Sequence, residues 1–416
     1  MRILQVHKFF YPHAGSETVL FHTRDLLTSN GHEVIDFSMA HPKNATSPYE
    51  KFFAPRREYV DTSRPVVLRA RDAVSSVYSI AARSRLRRLL DATRPEVAHM
   101  HIIYHQLTMS IVDELARAGV PMIMTLHDYK IGCPAYVLYR DGHPCQDCTS
   151  GAVYNVMRHK CIKGSRSASA LAGVEAGFSR LTGKYAKIDA YVCPSAFAGQ
   201  VAGKAGIAAD RIHVIPNFLP DSELGQPVDS LADHPRFFFA GRLEEVKGVD
   251  DLLEAFRGGD ASMGTLVIAG AGGEMEAKVR QTAIELDNVE YLGRVSRDEV
   301  IRQLRQSRAA MLPSRWDENN PMSVLEARTV GIPVIVSDRG GLPEMVTDGV
   351  DGKIVRAGDV AGLRAAIRDL AANRAAAEAF GRAGHQRFYR DNTAAAHYEA
   401  LMRAYGAAME RRRSIA

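Results

Sequence analysis

A chain of 416 residues with 46% hydrophobic and 24% charged residues can build two or three domains, each with its own core, and is too apolar to be intrinsically disordered. No run of 18 or more apolar residues occurs, so no membrane-spanning helix is expected, and the opening MRILQVHKFF lacks the apolar region and cleavage site of a secretory signal. A cytoplasmic protein is expected. The net charge of +5 is uneven, with 27 Lys+Arg against 18 Asp+Glu in residues 1–220 and 26 against 30 in the remainder.

Taken in order, the apolar run at 2–6 is a predicted strand, and Gly15-Ser16-Glu17 then opens an amphipathic helix. Strand, turn and helix make the first unit of a doubly wound domain. Much of the basic excess follows between Arg64 and Arg94, where eight arginines meet only Asp72 and Asp91. With Val74, Val77, Tyr78 and Ala81 at helical spacing, this stretch suits an anionic membrane, at the inner face of the cell membrane, or a lipid phosphate. The alternative is a solvated helix face whose arginines pair locally. No nucleic-acid-binding motif accompanies the charge, so no nucleic-acid partner is expected.

Two further strands are predicted at 96–101 and 121–127, joined by a helix at 106–117. His99 and His101 alternate to one strand face and, with His105, invite a metal reading. Zinc would require a fourth ligand and a supporting shell, so these are expected instead as strand-end histidines lining an acceptor cleft. His127-Asp128 lies just past a strand's carboxyl end, where either a functional pair or a capping pair would stand. Cys133, Cys145, Cys148 and Cys161 then fall in an insertion at 129–165 with the spacing C-x11-C-x2-C-x12-C. In a cytoplasmic chain two disulfides are disfavoured, and a structural zinc on four thiolates is the expected use. Cys193, inside a strand, reads as a buried apolar residue.

Strands at 190–193 and 211–215 close the first domain, and the proline-rich, aperiodic 214–235 is a linker. The strand at 237–240 runs into Gly241-Arg242 and Lys247-Gly248, a G-R-x4-K-G turn, and then a helix. Arg242 can fork onto two phosphate oxygens and Lys247 adds a compact charge, which together neutralise a diphosphate without a metal ion. Gly270 to Gly273 form a glycine turn that is not G-x-G-x-x-G, which argues against a dehydrogenase. Alternating strands and helices lead to a strand ending at Leu312, a polar loop, a helix at 321–329 and a strand at 333–336. That loop stands at the carboxyl end of a parallel sheet, where such sheets bind ligands. Asn319, Asn320, Pro321, Met322 and Ser323 present backbone N–H groups at a helix start, a place that attracts phosphate. Glu318 and Glu326, flanking it, suit the hydroxyls of a sugar and a ribose on either side of a diphosphate. The ligand these residues suggest is a nucleotide sugar.

The pattern P-S-x-W-x-E-x7-E-A-x3-G-x-P-V from Pro313, followed by Gly340-Gly341-x-x-Glu344, resembles the donor site of glycosyltransferase family 4, retaining enzymes of the GT-B fold. The G-R-x4-K-G turn is similar to that family's diphosphate clamp, and TLHDY around His127 to its site histidine beside the donor sugar. The turn at Gly15 matches in part, since Ser16 stands where the family usually has a second glycine. The resemblance implies two Rossmann-like α/β domains facing a cleft, at 1–217 and 218–389, with a helix at 390–416 crossing back to the first domain. It implies a UDP- or GDP-sugar donor, a glycan or lipid-linked acceptor in envelope or polysaccharide synthesis, and a same-face displacement without a catalytic metal. Catalytic roles would fall to His127, Arg242, Lys247 and Glu318, and donor contacts to Gly15, Ser16, Gly241, Asn319 to Ser323 and Glu326. A non-catalytic nucleotide-sugar binder and a GT-B epimerase are the alternatives.

Overall fold

The computed structural model describes residues 1–12, 14–57 and 73–415. The chain divides into two compact units, one of Met1–Leu138, Cys145–Ile215 and His397–Ala416, the other of Tyr139–Pro144 and Pro216–Ala396.

The first unit contains β1 (Arg2–Val6), β2 (Glu33–Phe37), β3 (Val97–Met100) and β4 (Met122–Thr125). After a small antiparallel hairpin of β5 (Tyr139–Arg140) and β6 (His143–Pro144), β7 (Ala190–Cys193) and β8 (Ile212–Val214) complete its sheet. The order is β2-β1-β3-β4-β7-β8, all parallel, so the sheet reverses its direction of growth between β1 and β3. Its strands are apolar on both faces because both are covered. Leu4, Ala98, Met100, Met122 and Met124 point into one core. Their neighbours Ile3, Val97 and Ile123 point to the other, where the C-terminal helix Ala394–Ile415 buries Leu401, Ala404, Tyr405 and Ala408.

The second unit contains β9 (Arg236–Ala240), β10 (Thr265–Ala269), β11 (Val289–Gly293), β12 (Ala309–Leu312), β13 (Val334–Ser337) and β14 (Gly352–Val355). All are parallel in the order β11-β10-β9-β12-β13-β14, around a core led by Phe237, Phe238, Leu253, Val267, Ile335 and Phe388. Two doubly wound parallel sheets, helices alternating with strands, are the expected α/β architecture. The second sheet reverses between β9 and β12, which puts the loops after those two strands side by side.

Candidate functional site

The loops that meet at the second sheet's reversal are the two that carried the sequence motifs, 241–248 after β9 and 313–321 after β12. Gly248 locks them together. Its φ is +71°, and a Cβ there would stand 2.0 Å from the carbonyl oxygen of Pro313, so both conformation and space demand glycine. Gly340 does the same from the loop after β13, with φ +59° and a virtual Cβ 2.1 Å from the oxygen of Glu318, while Gly341 N–H donates to that oxygen at 2.7 Å. Three strand ends thus fix the backbone of Glu318.

Its side chain is fixed as well. Glu318 Oε1 accepts from Lys247 Nζ at 2.7 Å, Ser314 Oγ at 2.7 Å and Trp316 Nε1 at 2.8 Å. Burial would raise this carboxyl, but Lys247, Trp316 and Ser314 overcome it and hold its pKa below the usual range. Lys247 lies over the Trp316 ring, 4.8 Å from the centroid. Two residues assigned separate tasks from the sequence are therefore an ion pair. The second cation, Arg242, is largely exposed and reaches Glu244 at 2.5 Å, a pair that constrains it little.

The helix Met322–Thr329 begins after Pro321 with no side-chain cap, leaving its first N–H groups, at Met322 and Ser323, to a ligand or water. Asn320 is used structurally: its Oδ1 accepts the N–H of Asn217 at 3.0 Å and its backbone oxygen the Asn217 side chain at 2.8 Å. Asn319 adjoins it in the same loop. Glu326 faces Arg297 Nε at 3.5 Å, and Arg297 in turn bonds Glu223 at 3.0 Å. Burial raises the Glu326 pKa and Arg297 only partly offsets it. Arg297, Ser314 and Trp316 were missed as site residues. Ser314 and Trp316 stood in the motif, whereas Arg297 lies in an ordinary amphipathic helix with no local signal.

In the first unit, Gly15 starts the helix Gly15–Ser29, and the space where its Cβ would project is open. Ser16 Oγ donates to Glu17 Oε2 at 3.0 Å, so its hydroxyl is engaged within the protein. Glu17 also takes the N–H of Ala14 at 3.1 Å and stands 3.6 Å from His7 Nε2. His127, past the end of β4, places Nε2 2.8 Å from His101 Nδ1, and burial pushes its pKa down to about 4. His99 and His101 are both buried, and His99 lies against the C-terminal helix, its Nδ1 meeting the Tyr405 hydroxyl at 2.9 Å. His105 turns away, with φ +65°, to the hydroxyl of Tyr136. Asp128 takes the N–H of Lys130 at 2.9 Å, and burial raises its pKa.

The four cysteines for which a structural zinc was expected are Cys133, Cys145, Cys148 and Cys161. None of them is in a disulfide, and among the described residues no three His, Cys, Asp or Glu stand in metal-holding geometry. The insertion does draw them together, since burial and then the other three thiols push Cys148 up to about 12. Cys133 sulfur accepts backbone N–H groups of Leu138, Ala135 and Val137 in its own turn, which favours its thiolate, while burial opposes it. Cys193 is buried as expected. Of the basic stretch, Arg64, Arg69, Arg71 and Asp72 lie outside the described residues. Arg83 and Arg87 converge with Arg117 on the buried Glu114, at 2.9, 2.8 and 2.7 Å, and hold its pKa at about 2 against the cost of burial.

Residues 225–387 match the family described as Glycosyl transferases group 1, and residues 13–223 that described as Glycosyltransferase Family 4. Glycogen synthase of Mycobacterium tuberculosis is 36% identical over 157 residues, 37% of this chain and 38% of that protein. A D-inositol 3-phosphate glycosyltransferase of Xylanimonas cellulosilytica is 31% identical over 234 residues, 50% of this chain and 54% of the relative. The chain thus spans only about a third to a half of these relatives' lengths. Among solved structures, Anabaena Alr3699/HepE in complex with UDP and glucose aligns with a TM-score of 0.66 at 14% identity, over 98% of this chain and 100% of that one. Sucrose-phosphate synthase from Thermosynechococcus elongatus aligns with a TM-score of 0.69 at 18% identity, over 97% and 98%. These two likenesses concern the fold.

Proposed function

The chain belongs to glycosyltransferase family 4, and from that premise we propose that it moves a sugar from a UDP- or GDP-sugar to a hydroxyl of a glycan or lipid-linked acceptor, with retention and without a catalytic metal. The observation that carries this reading is the pair of loops at the second sheet's reversal. There Glu318 is taken up by Lys247, Ser314 and Trp316, so the charge of a diphosphate is met by N–H donors: Arg242, Lys247 and the helix start at Met322 and Ser323. Arg242 turns from Glu244 onto phosphate oxygens at little cost.

In the reaction the bond from the sugar's anomeric carbon to the phosphate oxygen breaks, and the acceptor oxygen bonds that carbon on the same face. The departing phosphate oxygen takes the acceptor's proton. The protein supplies orientation and electrostatic stabilisation of the leaving diphosphate. Glu318 holds Lys247 in place for this, Glu326 accepts hydrogen bonds from the ribose, and His127 serves the transferred sugar. The UDP bound by Alr3699/HepE supports a uridine donor. Supplying UDP- and GDP-sugars with glycan and lipid-linked acceptors tests the proposal, by release of nucleoside diphosphate and by the anomeric configuration of the product. Binding without release would make the chain a sensor module, product without acceptor an epimerase, and inversion would contradict the retaining step.

For a lipid-linked acceptor, a different surface than the arginine stretch supports membrane contact. Tyr154 and Met157 are exposed beside the helix Arg166–Leu181, which exposes Val174 and, at 90%, Leu181. Among the described residues Arg158, Lys160, Lys163 and Arg166 around them have no ion-pair partner, and Glu175, the one acid between 149 and 188, is buried against Lys130. Apolar tips in a basic rim fit an anionic bilayer surface. No described helix is long and apolar enough to cross a membrane. Flotation with vesicles containing an anionic lipid is the test: Leu181→Ser should weaken association and Arg85→Ala should not, and the opposite ranking would return the contact to the arginine stretch.

A further inference from the structure

Three of the first unit's histidines, His99, His101 and His127, form one hydrogen-bonded column that the transfer chemistry does not explain. Gln5 of β1, His99 and His101 at the end of β3, and Thr125 and His127 at the end of β4 all lie on the sheet face under the C-terminal helix, because side chains two apart share a face. The rings stack: His99 to His101 at 4.3 Å between centroids, and His101 to His127 at 5.1 Å with planes 19° apart. Gln5 sits between them with its carbonyl oxygen 2.7 Å from His101 Nε2 and its amide nitrogen 3.4 Å from His99 Nδ1.

Burial favours the neutral form of all three rings, and in neutral rings these contacts place every proton. A carbonyl only accepts, so His101 Nε2 carries hydrogen and His101 Nδ1 is a lone pair. That lone pair, 2.8 Å from His127 Nε2, requires hydrogen on His127 Nε2 and leaves His127 Nδ1 unprotonated. The other branch agrees. His99 Nδ1 accepts from the Gln5 amide and from the Tyr405 hydroxyl at 2.9 Å, so His99 Nε2 bears hydrogen and donates to Thr125 Oγ1 at 2.7 Å. Around the column, His7 and His397 are bases and Tyr405 is a phenol, while Asp128 follows His127 in the chain and Glu17 stands 3.6 Å from His7.

We propose that Gln5 and His101 are positioning residues that lock His127 in the tautomer with a bare Nδ1, so that His127 accepts a hydrogen bond from a hydroxyl of the transferred sugar and does not act as a cation or proton donor. The lock rests on the assignment of His127 to that sugar, and it adds the specificity that follows. A site built to accept from a hydroxyl rejects a deoxy analogue that cannot donate, because the buried nitrogen is left unpaired.

Long-range proton–nitrogen correlation spectra of the full chain with nitrogen-15-labelled histidine test this without any substrate, the His127 signals being identified by their loss in His127→Asn. Wild type is expected to show Nε2 protonated and Nδ1 bare at neutral pH. Gln5→Leu should spread His127 over both tautomers, and Gln5→Glu, whose carboxylate favours a doubly protonated His101 that donates from Nδ1 to His127 Nε2, should move the His127 hydrogen to Nδ1. In parallel, turnover of the UDP- or GDP-sugar that the wild type uses should lose on the order of tenfold to a hundredfold in kcat in Gln5→Leu, with KM nearly unchanged and no recovery in Gln5→Glu. A protonated Nδ1 or a charged ring in the wild type overturns the proposal, as does an unchanged tautomer in Gln5→Leu. A wild-type chain that turns over no nucleotide sugar yet shows the expected tautomer would instead overturn the transferase reading and leave the lock standing.

Discussion

The two sheets reverse direction in the same way, yet the side chains gathered at the two reversals are opposite in kind. At the first, between β1 and β3, buried histidines are held neutral by desolvation and by one another. At the second, between β9 and β12, an ion pair is kept charged at the floor of two loops, with a second cation exposed beside it. The contrast teaches that this topology supplies a place and the residues choose the charge. A neutral acceptor array suits hydroxyls, while fixed cations suit a leaving diphosphate. The two reversals are expected to fail in different ways when disturbed.

The largest effect is expected at the charged reversal. Lys247→Ala removes a preorganised donor and leaves the Glu318 carboxylate under-paired, so turnover should fall by roughly 10²- to 10³-fold. Steady-state kinetics check this, and a loss below about threefold would take Lys247 out of the mechanism. Next comes Gly248→Ala. It demands φ near +71° of a residue with a Cβ and drives that atom into Pro313, so it should cost about 2 kcal/mol or more. Thermal or denaturant unfolding reads it, and a neutral change would mean that the two loops are not locked.

An acid titration sharpens the contrast between the units. His7, His99, His101 and His127 all have folded pKa values below 6.5, so below about pH 6.5 the unfolded chain binds protons that the folded one refuses. Their contribution to stability rises with pH across that window and is lost as pH falls from about 6.5 toward 4. Asp128, with a raised pKa, works the other way but is one group against four. Glu318, with its pKa depressed, keeps its full contribution down to about 4.5 and loses it only below. The single tryptophan, Trp316, lies in the second unit. On acidification, hydrogen exchange in β1, β3 and β4 should therefore accelerate before Trp316 fluorescence changes. Simultaneous loss would show that the histidines do not set the acid limit.

The smallest effect is expected at Ser16. Its hydroxyl is already bonded to Glu17 and the space above Gly15 is open. Ser16→Gly should thus change donor KM by no more than a few-fold and leave Tm nearly unaltered. A large gain in affinity would show that the Ser16 side chain obstructs the donor.

How much of this was legible in the sequence differs between the two regions. The alternation of apolar strands and amphipathic helices gave the architecture, and the strand-end loops at Gly241–Lys247 and Pro313–Pro321 could be located because turn glycines and a helix start mark them locally. That Lys247 pairs with Glu318 could not be read, since they are 71 residues apart and meet only through the adjacency of β9 and β12. The histidines show the same limit. Alternation put His99 and His101 on one face, but which face depends on a helix some 300 residues later, and Tyr405 makes it the covered one. Cysteine spacing announced a cluster but not its geometry, which the turns around Cys133 and Cys148 set. Arg83 and Arg87 looked like a surface stripe, yet Glu114 draws them together from the next helix.

The central claim is that the second unit's reversal holds a nucleoside diphosphate, and calorimetric titration of the full chain with UDP and with GDP tests it most directly. One of the two should bind the wild type, and Arg242→Ala, an exposed change that should leave Tm unaltered, should weaken that binding at least about tenfold, the scale of one charge-assisted contact. Failure of both nucleotides to bind, or binding indifferent to Arg242→Ala and Lys247→Ala alike, would contradict the account.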